Sequence, residues 1–319
     1  MRDALIKGKS LLLTGGTGSF GQAILGTLAE SAARPKQVRI LSRHEDLQHS
    51  IAQKYPQFKF LIGDVRDPSR LREVFSGVDI IFHAAALKQV PDCEMHPMEA
   101  VKTNIIGAFN VRTAAIESDV ETVIYISTDK AVKPVNVMGM TKAIQERMFS
   151  TPELGVRTRF VGVRYGNVLG SRGSVVPHFV SLGKQKKVLP VTDPRMTRFM
   201  LTLQNAIELV FFALEKGAHG EVLVRKSPAT RLGQLAEVIA EHFGSKTKTV
   251  GIRPGEKIHE VLIQEDEMRR AEEKGEYFIL HPPGTFRSGR TYEEYSSDKA
   301  ELLGKRQIKE LLEKEKWLV

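Results

Sequence analysis

The segment LLLTGGTGSFGQAILGTLAE, residues 11–30, decides the fold. An apolar run leads through Gly15-x-x-Gly18-x-x-Gly21 directly into an amphipathic helical pattern. Glycines at that spacing let the backbone turn tightly and approach a pyrophosphate, whose charge is met by free N–H groups and the positive end of the helix dipole. Gly15, Thr17, Gly18, Ser19, Phe20 and Gly21 are therefore the expected phosphate-side lining of a dinucleotide cofactor site.

Outward from this segment, strand-length apolar runs at 10–14, 38–41, 58–62, 80–84, 122–127 and 160–163 alternate with helical patterns. That rhythm belongs to βαβ units and a parallel sheet. The expected fold is α/β: a Rossmann-type doubly wound parallel sheet with a smaller, partly interleaved C-terminal substrate domain. The rhythm is lost after Tyr165 in a stretch rich in Gly, Arg and Pro, and helical patterns return at 203–216, 232–243 and 297–314. The cofactor domain is placed at 1–165 plus 200–225, and the substrate domain at 166–199 and 226–319.

Composition narrows the function. The 319 residues are 41% hydrophobic and 27% charged, as in an ordinary globular protein, and no apolar run reaches the ~20 residues that span a bilayer. The start, MRDALIKGKS, has no apolar stretch of signal-peptide length, and Cys93 is the only cysteine, which predicts a protein of the reducing cytoplasm. The net charge of +9 is carried by scattered Lys and Arg residues, which suits a phosphorylated small molecule and argues against nucleic acid.

At the end of the second candidate strand, where NAD-preferring proteins place a carboxylate, this chain has Ser42, Arg43 and His44. A guanidinium can hold a 2′-phosphate bidentately where a carboxylate would repel it, so NADP is the expected cofactor. Asp64 and Val65 end the third strand on the adenine side, and Ala84, Ala85 and Ala86 end the fourth, where small side chains suit close approach. His83, His96 and His178 lack clustered partners, so no metal site is expected.

With HAAALKQVP at 83–91, ISTDKAVKP at 126–134 and MGMTK at 138–142, the chain resembles the extended short-chain dehydrogenase/reductase family. Within it the chain is most similar to nucleotide-sugar 4,6-dehydratases that act on UDP-N-acetylglucosamine in flagellin glycosylation and capsule synthesis. The likeness continues through VRYGNVLGSRGSVVPHF, TDPRMTRFMLT and GIRPGEKIHE. It implies oxidation of the sugar at carbon 4, removal of the carbon 5 proton, loss of the carbon 6 hydroxyl as water, and return of the hydride to carbon 6, with NADP retained. The product is a UDP-4-keto-6-deoxy-N-acetylhexosamine, and carbon 5 inversion is the expected course.

The resemblance implies that Lys130 takes the carbon 5 proton and Asp129 protonates the leaving hydroxyl. Met138 stands where the wider family has the tyrosine of Tyr-x-x-x-Lys, while Lys142 keeps its one-turn spacing and is expected at the nicotinamide ribose. A thioether moves no proton, so the acceptor of the carbon 4 hydroxyl proton stays open between Lys130 and Lys142, with Thr128 relaying the proton or orienting the hydroxyl. Asn104 is placed on the cofactor side. Lys88, Asn167, Ser174, Val175, Arg198, Arg253 and Glu256 are expected to hold the nucleotide sugar. Helices at 97–118 and 137–149, with an apolar face at Ile105, Phe109 and Val111, are expected to pair subunits in a dimer or higher homo-oligomer. Two other readings stand beside this one: a UDP-sugar 4-epimerase, and a non-catalytic nucleotide-binding relative marked by Met138.

Overall fold

The computed structural model describes residues 2–285 and 293–319. The six expected strands are present as β1 Ser10–Thr14, β2 Gln37–Ser42, β3 Lys59–Ile62, β4 Ile80–His83, β5 Thr122–Thr128 and β6 Arg159–Tyr165. They pair in parallel in the order β6-β5-β4-β1-β2-β3. Chain direction across the sheet reverses between β1 and β4, which opens a crevice at the carboxyl ends of the strands. Leu11, Leu12 and Leu13 are all buried, because helices cover both faces and alternation of apolar with polar residues is not needed.

The sheet continues beyond β6. Val222–Arg225 pairs in parallel with β6, followed by Tyr277–Leu280 and Ala271–Lys274 in antiparallel. This hairpin belongs to the main sheet, although the sequence reading gives all of 226–319 to the smaller part. Its YFIL run is short and its neighbour AEEK is charged, so neither segment carries the pattern of a core strand. A separate apolar core joins helices Val175–Lys184, Leu232–Phe243 and Lys305–Lys314 through Phe179, Leu235, Ile239, Ile308 and Leu312. Of the helix expected over 297–314, only Lys305–Lys314 forms, while Tyr295–Ser296 pairs as a strand with Val261–Ile263.

The helix expected over 97–118 runs as Pro97–Ala100, a π-helical stretch Val101–Ile106 and Gly107–Glu117. The apolar face assigned to it divides. Val111 is fully buried in the core, Ile105 is half-buried, and Phe109 is exposed alongside Ile106. Met140 and Ile144 of the neighbouring helix Val137–Ser150 are exposed as well. No helix among the described residues is long and apolar enough to cross a membrane.

The side chain that ties the sheet to the C-terminal segment is Arg164 on β6, only 1% exposed. Its guanidinium donates to both carboxylate oxygens of Glu146, to those of Glu267 at 2.7 and 2.8 Å, and to the Leu262 carbonyl at 2.7 Å. Ser127 Oγ donates to Glu146 Oε2 at 2.5 Å, so the end of β5 is held by the same cluster. Removing one member of a buried ion set leaves uncompensated charge, which costs about 3–5 kcal/mol. Arg164→Met is expected to lose stability on that scale, measured as a lower urea midpoint with an unchanged slope.

Candidate active site

At the switch point the β1 turn behaves as its glycines require. Gly15 has φ of +70°, and a Cβ there would lie 2.8 Å from the Ala85 backbone, so the turn packs directly against the end of β4. A Cβ at Gly21 would lie 2.4 Å from Gly16 Cα, which forces the helix Ser19–Glu30 close to the turn. The N-cap of that helix, Gly18, has no capping side chain, which leaves N–H groups at the positive end of the dipole for an anion. This cradle fits a dinucleotide pyrophosphate.

Gly15, Thr17, Gly18, Ser19, Phe20, Gly21, Ser42, Arg43, Asp64, Val65, Ala84, Ala85 and Ala86 all line one cleft of about 1280 Å³. An ordinary small-molecule site occupies roughly 300–1,000 Å³, so this cleft is larger than a single small ligand requires. Asp64 receives Arg66 at 2.7 Å and lies 3.8 Å from Arg43. Burial works to raise the Asp64 carboxyl, but the Arg66 hydrogen bonds and the charges of Arg66 and Arg43 hold it below the usual carboxylate range. Ser42 Oγ accepts from Gln48 at 2.9 Å, and Ser19 Oγ accepts from the Arg172 backbone N–H at 3.0 Å. Asn104 stands behind the cleft. Its carboxamide is used by the Leu87 backbone at 2.8 and 3.0 Å and by Thr141 Oγ1 at 3.0 Å, so it braces the 84–88 segment against the helix Val137–Ser150.

The catalytic candidates gather where β5 ends. Thr128 Oγ1 donates to Asp129 Oδ1 at 2.8 Å, and Lys130 Nζ donates to the same oxygen at 3.1 Å. Lys130 also lies 3.4 Å from Glu260 Oε1, which in turn lies 3.7 Å from Arg198 Nε. Thr128, Lys130 and Glu260 line the cleft, whereas Asp129 is fully buried behind it. Its Oδ2 has no hydrogen-bond partner among the described residues and faces Gly166, where an added Cβ would lie 3.2 Å away. Burial raises the Asp129 carboxyl. Burial would lower Lys130, but Asp129 and Glu260 hold it above the ordinary lysine value. Burial would raise Glu260, and the charges of Lys130, Arg198 and Lys257 hold it low.

Met138 is buried, lines the cleft and packs on Cys93 and Ala100. Lys142, one turn on, donates to the Ile126 carbonyl and to Gln145 Oε1, each at 2.6 Å, and burial pushes it down to about 8. His83 lies behind it, bonded to Thr14 Oγ1 at 2.7 Å and pushed down to about 3 by burial and by Lys142. Among the described residues no cluster could hold a metal ion.

On the substrate side, Lys88, Asn167, Ser174, Val175, Arg198, Arg253 and Glu256 share the same cleft. Lys88 Nζ donates to the Arg172 carbonyl at 2.8 Å, and burial, then Arg172, lowers its pKa. Ser174 caps the helix Val175–Lys184 without a side-chain bond, and its Oγ and Asn167 Oδ1 are buried with no partner among the described residues. Arg198 differs from the expectation of a free cation for the pyrophosphate. Its Nη atoms donate to the Thr197, Ile258 and Lys257 carbonyls at 2.7 to 3.2 Å, so it ties two segments together at the cleft wall. Arg253 has no ion pair among the described residues and is the better placed cation.

Sequence reasoning passed over Glu260, Lys257 and Tyr165, all in the cleft wall. Glu260 lies within the quoted GIRPGEKIHE run, directly before the buried strand Val261–Ile263, and a charge abutting an apolar strand was the available signal.

A family model described as polysaccharide biosynthesis protein matches residues 11–282. The chain belongs to that family. The protein is 44% identical over 328 residues to a UDP-glucose 4-epimerase of Rickettsia canadensis (strain McKiel), with 95% of each chain covered. It is 36% identical to Pen from Bacillus thuringiensis, whose X-ray structure superposes with a TM-score of 0.91 over 97% of this chain and 99% of that one. The fold is shared with DesIV, a dTDP-glucose 4,6-dehydratase from Streptomyces venezuelae solved with NAD, at 21% identity and a TM-score of 0.70, covering 78% and 86%. The family member described here is thus an enzyme of the nucleotide-sugar epimerase/dehydratase group.

Lys142 yields a pH prediction. Its folded pKa, about 8, lies below the ordinary 10.5, so between those values the unfolded chain binds more protons and stability rises with pH. Wild type is expected to gain stability relative to Lys142→Met as pH rises from about 8 to about 10, and a difference independent of pH in urea titrations would contradict the buried ammonium.

Proposed function

We propose that this enzyme is an NADP-dependent 4,6-dehydratase that converts UDP-N-acetylglucosamine to a UDP-4-keto-6-deoxy-N-acetylhexosamine in the cytoplasm, for surface polysaccharide or flagellin sugars. The observation that carries this reading is the Lys130 ammonium held between two buried carboxylates, Asp129 and Glu260, at the end of β5. Elimination across carbons 5 and 6 needs a base and an acid at those carbons, where a 4-epimerase has no elimination to catalyse.

The nicotinamide, when bound, supplies the reversible two-electron oxidation at carbon 4 and the reduction at carbon 6. The glycine loop 15–21 and the alanines 84–86 would hold the cofactor, with Arg43 beside its ribose and Lys142 beneath. Thr128 Oγ1 donates to Asp129 Oδ1 and accepts the Lys130 backbone N–H at 3.3 Å, and at the cleft wall it orients the carbon 4 hydroxyl. Asp129, raised by burial, holds a proton more readily than an ordinary carboxylate and gives it to the leaving carbon 6 hydroxyl. Lys130 takes the carbon 5 proton. Ser174, Asn167 and the N-terminus of Val175–Lys184 meet the diphosphate, with Arg253 as its cation.

The names of the curated relatives favour a second reading, a UDP-sugar 4-epimerase. The two separate when the protein is incubated with UDP-N-acetylglucosamine and NADP⁺ in deuterated water and followed by proton NMR. A carbon 6 methyl beside a ketone or its hydrate, with deuterium at carbon 5, is expected. A carbon 4 epimer alone would establish the epimerase, and bound but unchanged substrate would mark Met138 as the sign of a non-catalytic relative. Lys130→Ala is expected to lower dehydration by about 10²-fold or more. Arg43→Ala is expected to cut the preference for NADP over NAD by about tenfold in fluorescence titrations of the two cofactors.

A further inference from the structure

Between β6 and the helix Val175–Lys184 the chain forms a loop whose two ends carry unsatisfied polar groups. Asn167 Oδ1 and Ser174 Oγ are buried, belong to residues of the cleft wall, and have no hydrogen-bond partner among the described residues. Both side chains carry an N–H or O–H donor of the kind a phosphate accepts. On the cleft side the loop is held at Arg172, whose backbone N–H donates to Ser19 Oγ at 3.0 Å and whose carbonyl accepts Lys88 Nζ at 2.8 Å. Away from the cleft the loop rests on the end of the chain. Gly170 has φ of +74°, and a Cβ there would lie 2.7 Å from Cε2 and 2.9 Å from Nε1 of Trp317, so the indole fills the space a side chain at 170 would need.

Trp317 is aimed at the loop by the way its helix ends. After Lys305–Lys314 the chain passes through Lys316 at φ of +59°. The Lys316 N–H donates to the Glu313 carbonyl at 2.9 Å, and the Trp317 N–H reaches back to the Leu312 carbonyl at 2.8 Å. That pair of bonds is a Schellman ending, which folds the second residue beyond the cap back onto the last turn. A lysine stands where glycine is usual, and a left-handed conformation at such a residue persists only when its surroundings hold it. The surroundings are apolar. Leu169, Leu312 and Leu318 are buried in one core, and Trp317 packs against it, so the end of the chain and the residue before Gly170 form one packing unit.

Resting on the reading of the cleft as a nucleotide-sugar site, and not on which reaction follows there, we propose that Trp317 is a positioning residue for the nucleotide diphosphate. Its indole seats the 167–174 loop from behind and so sets the places of Asn167 and Ser174. The loop contains Gly170 and Gly173, and glycine loses more conformational freedom on ordering than any other residue, so the two hydrogen bonds at Arg172 need a second point of support. Packing at Gly170 supplies it between the two ligand-facing ends. A hydrogen bond to phosphate is lost when its donor moves by about 1 Å, so a loop without this seat would still form the cleft wall but would hold the diphosphate weakly.

The test titrates UDP by calorimetry into the full chain saturated with NADP⁺, as wild type, Trp317→Ala, Trp317→Phe, Gly170→Ala and Ile308→Ala, with urea unfolding of each. Ile308 is fully buried in the same apolar core as Leu312, so Ile308→Ala reports what loss of stability alone does. Trp317→Ala is expected to weaken UDP by about tenfold, the scale of one hydrogen bond to a charged group. Trp317→Phe, which keeps a ring behind Gly170, is expected to recover most of that affinity. Gly170→Ala, whose methyl pushes the loop off the indole, is expected to weaken UDP by a similar factor, and it carries the test where Trp317→Ala does not fold. Ile308→Ala is expected to lower the urea midpoint while binding UDP within about threefold of wild type. The assignment is overturned if Trp317→Ala or Gly170→Ala binds UDP within about threefold of wild type, or if Ile308→Ala weakens UDP as much as they do. A wild type that binds no UDP would overturn the nucleotide-sugar reading and this assignment with it, and is read from the wild-type sample alone.

Discussion

A guanidinium removed from water has to be matched by charge, and Arg164 is matched by Glu146 and Glu267 from two other segments. Glu146 belongs to the helix that carries Met138 and Lys142, and Glu267 to the turn that follows Val261–Ile263, the strand preceded by Glu260. Ser127, bonded to the same Glu146, is the residue before Thr128. The three walls of the chemistry are therefore locked to one side chain. Buried ion sets tolerate little displacement, so the positions of Thr128, Lys142 and Glu260 are fixed relative to one another before any ligand arrives.

The same logic of shared charge runs through the site. Lys130 has two carboxylates and Lys142 has none in hydrogen-bond contact, so one is held up and the other is pushed down to about 8. Two lysines twelve residues apart in the chain thus hold their protons with different strength. Met138 puts a thioether, which moves no proton, at the cleft wall, where it packs against Cys93 and Ala100, while Tyr165 brings a phenol to the same cleft.

The sequence-level reading and the structure part company at residues whose role depends on what stands behind them. Asn104 and Arg198 carry the polar groups of ligand-binding residues, yet Asn104 is spent on the Leu87 backbone and the Thr141 hydroxyl and the Arg198 Nη donors on the carbonyls at 197, 257 and 258. Val111 has the apolar character expected of an interface and lies in the core, while its neighbour Phe109 is exposed. A side chain's type announces what bonds it can make, and only its neighbours decide which bonds it makes.

What the sequence determined by itself is the local and the periodic: the glycine turn at 15–21, where the φ of Gly15 and the close backbone contacts at Gly15 and Gly21 leave no room for a side chain, the six parallel strands read from apolar runs, and Arg43 in place of a carboxylate. These follow from forces acting between near neighbours in the chain. The tertiary structure alone decided that Tyr277–Leu280 and Ala271–Lys274 extend the main sheet, that Asp129 lies behind the cleft wall, and that Glu260 comes to 3.4 Å from Lys130 across 130 residues of chain. Such meetings depend on long loop closures and on the pairing of buried charges, and no spacing in the linear sequence records them.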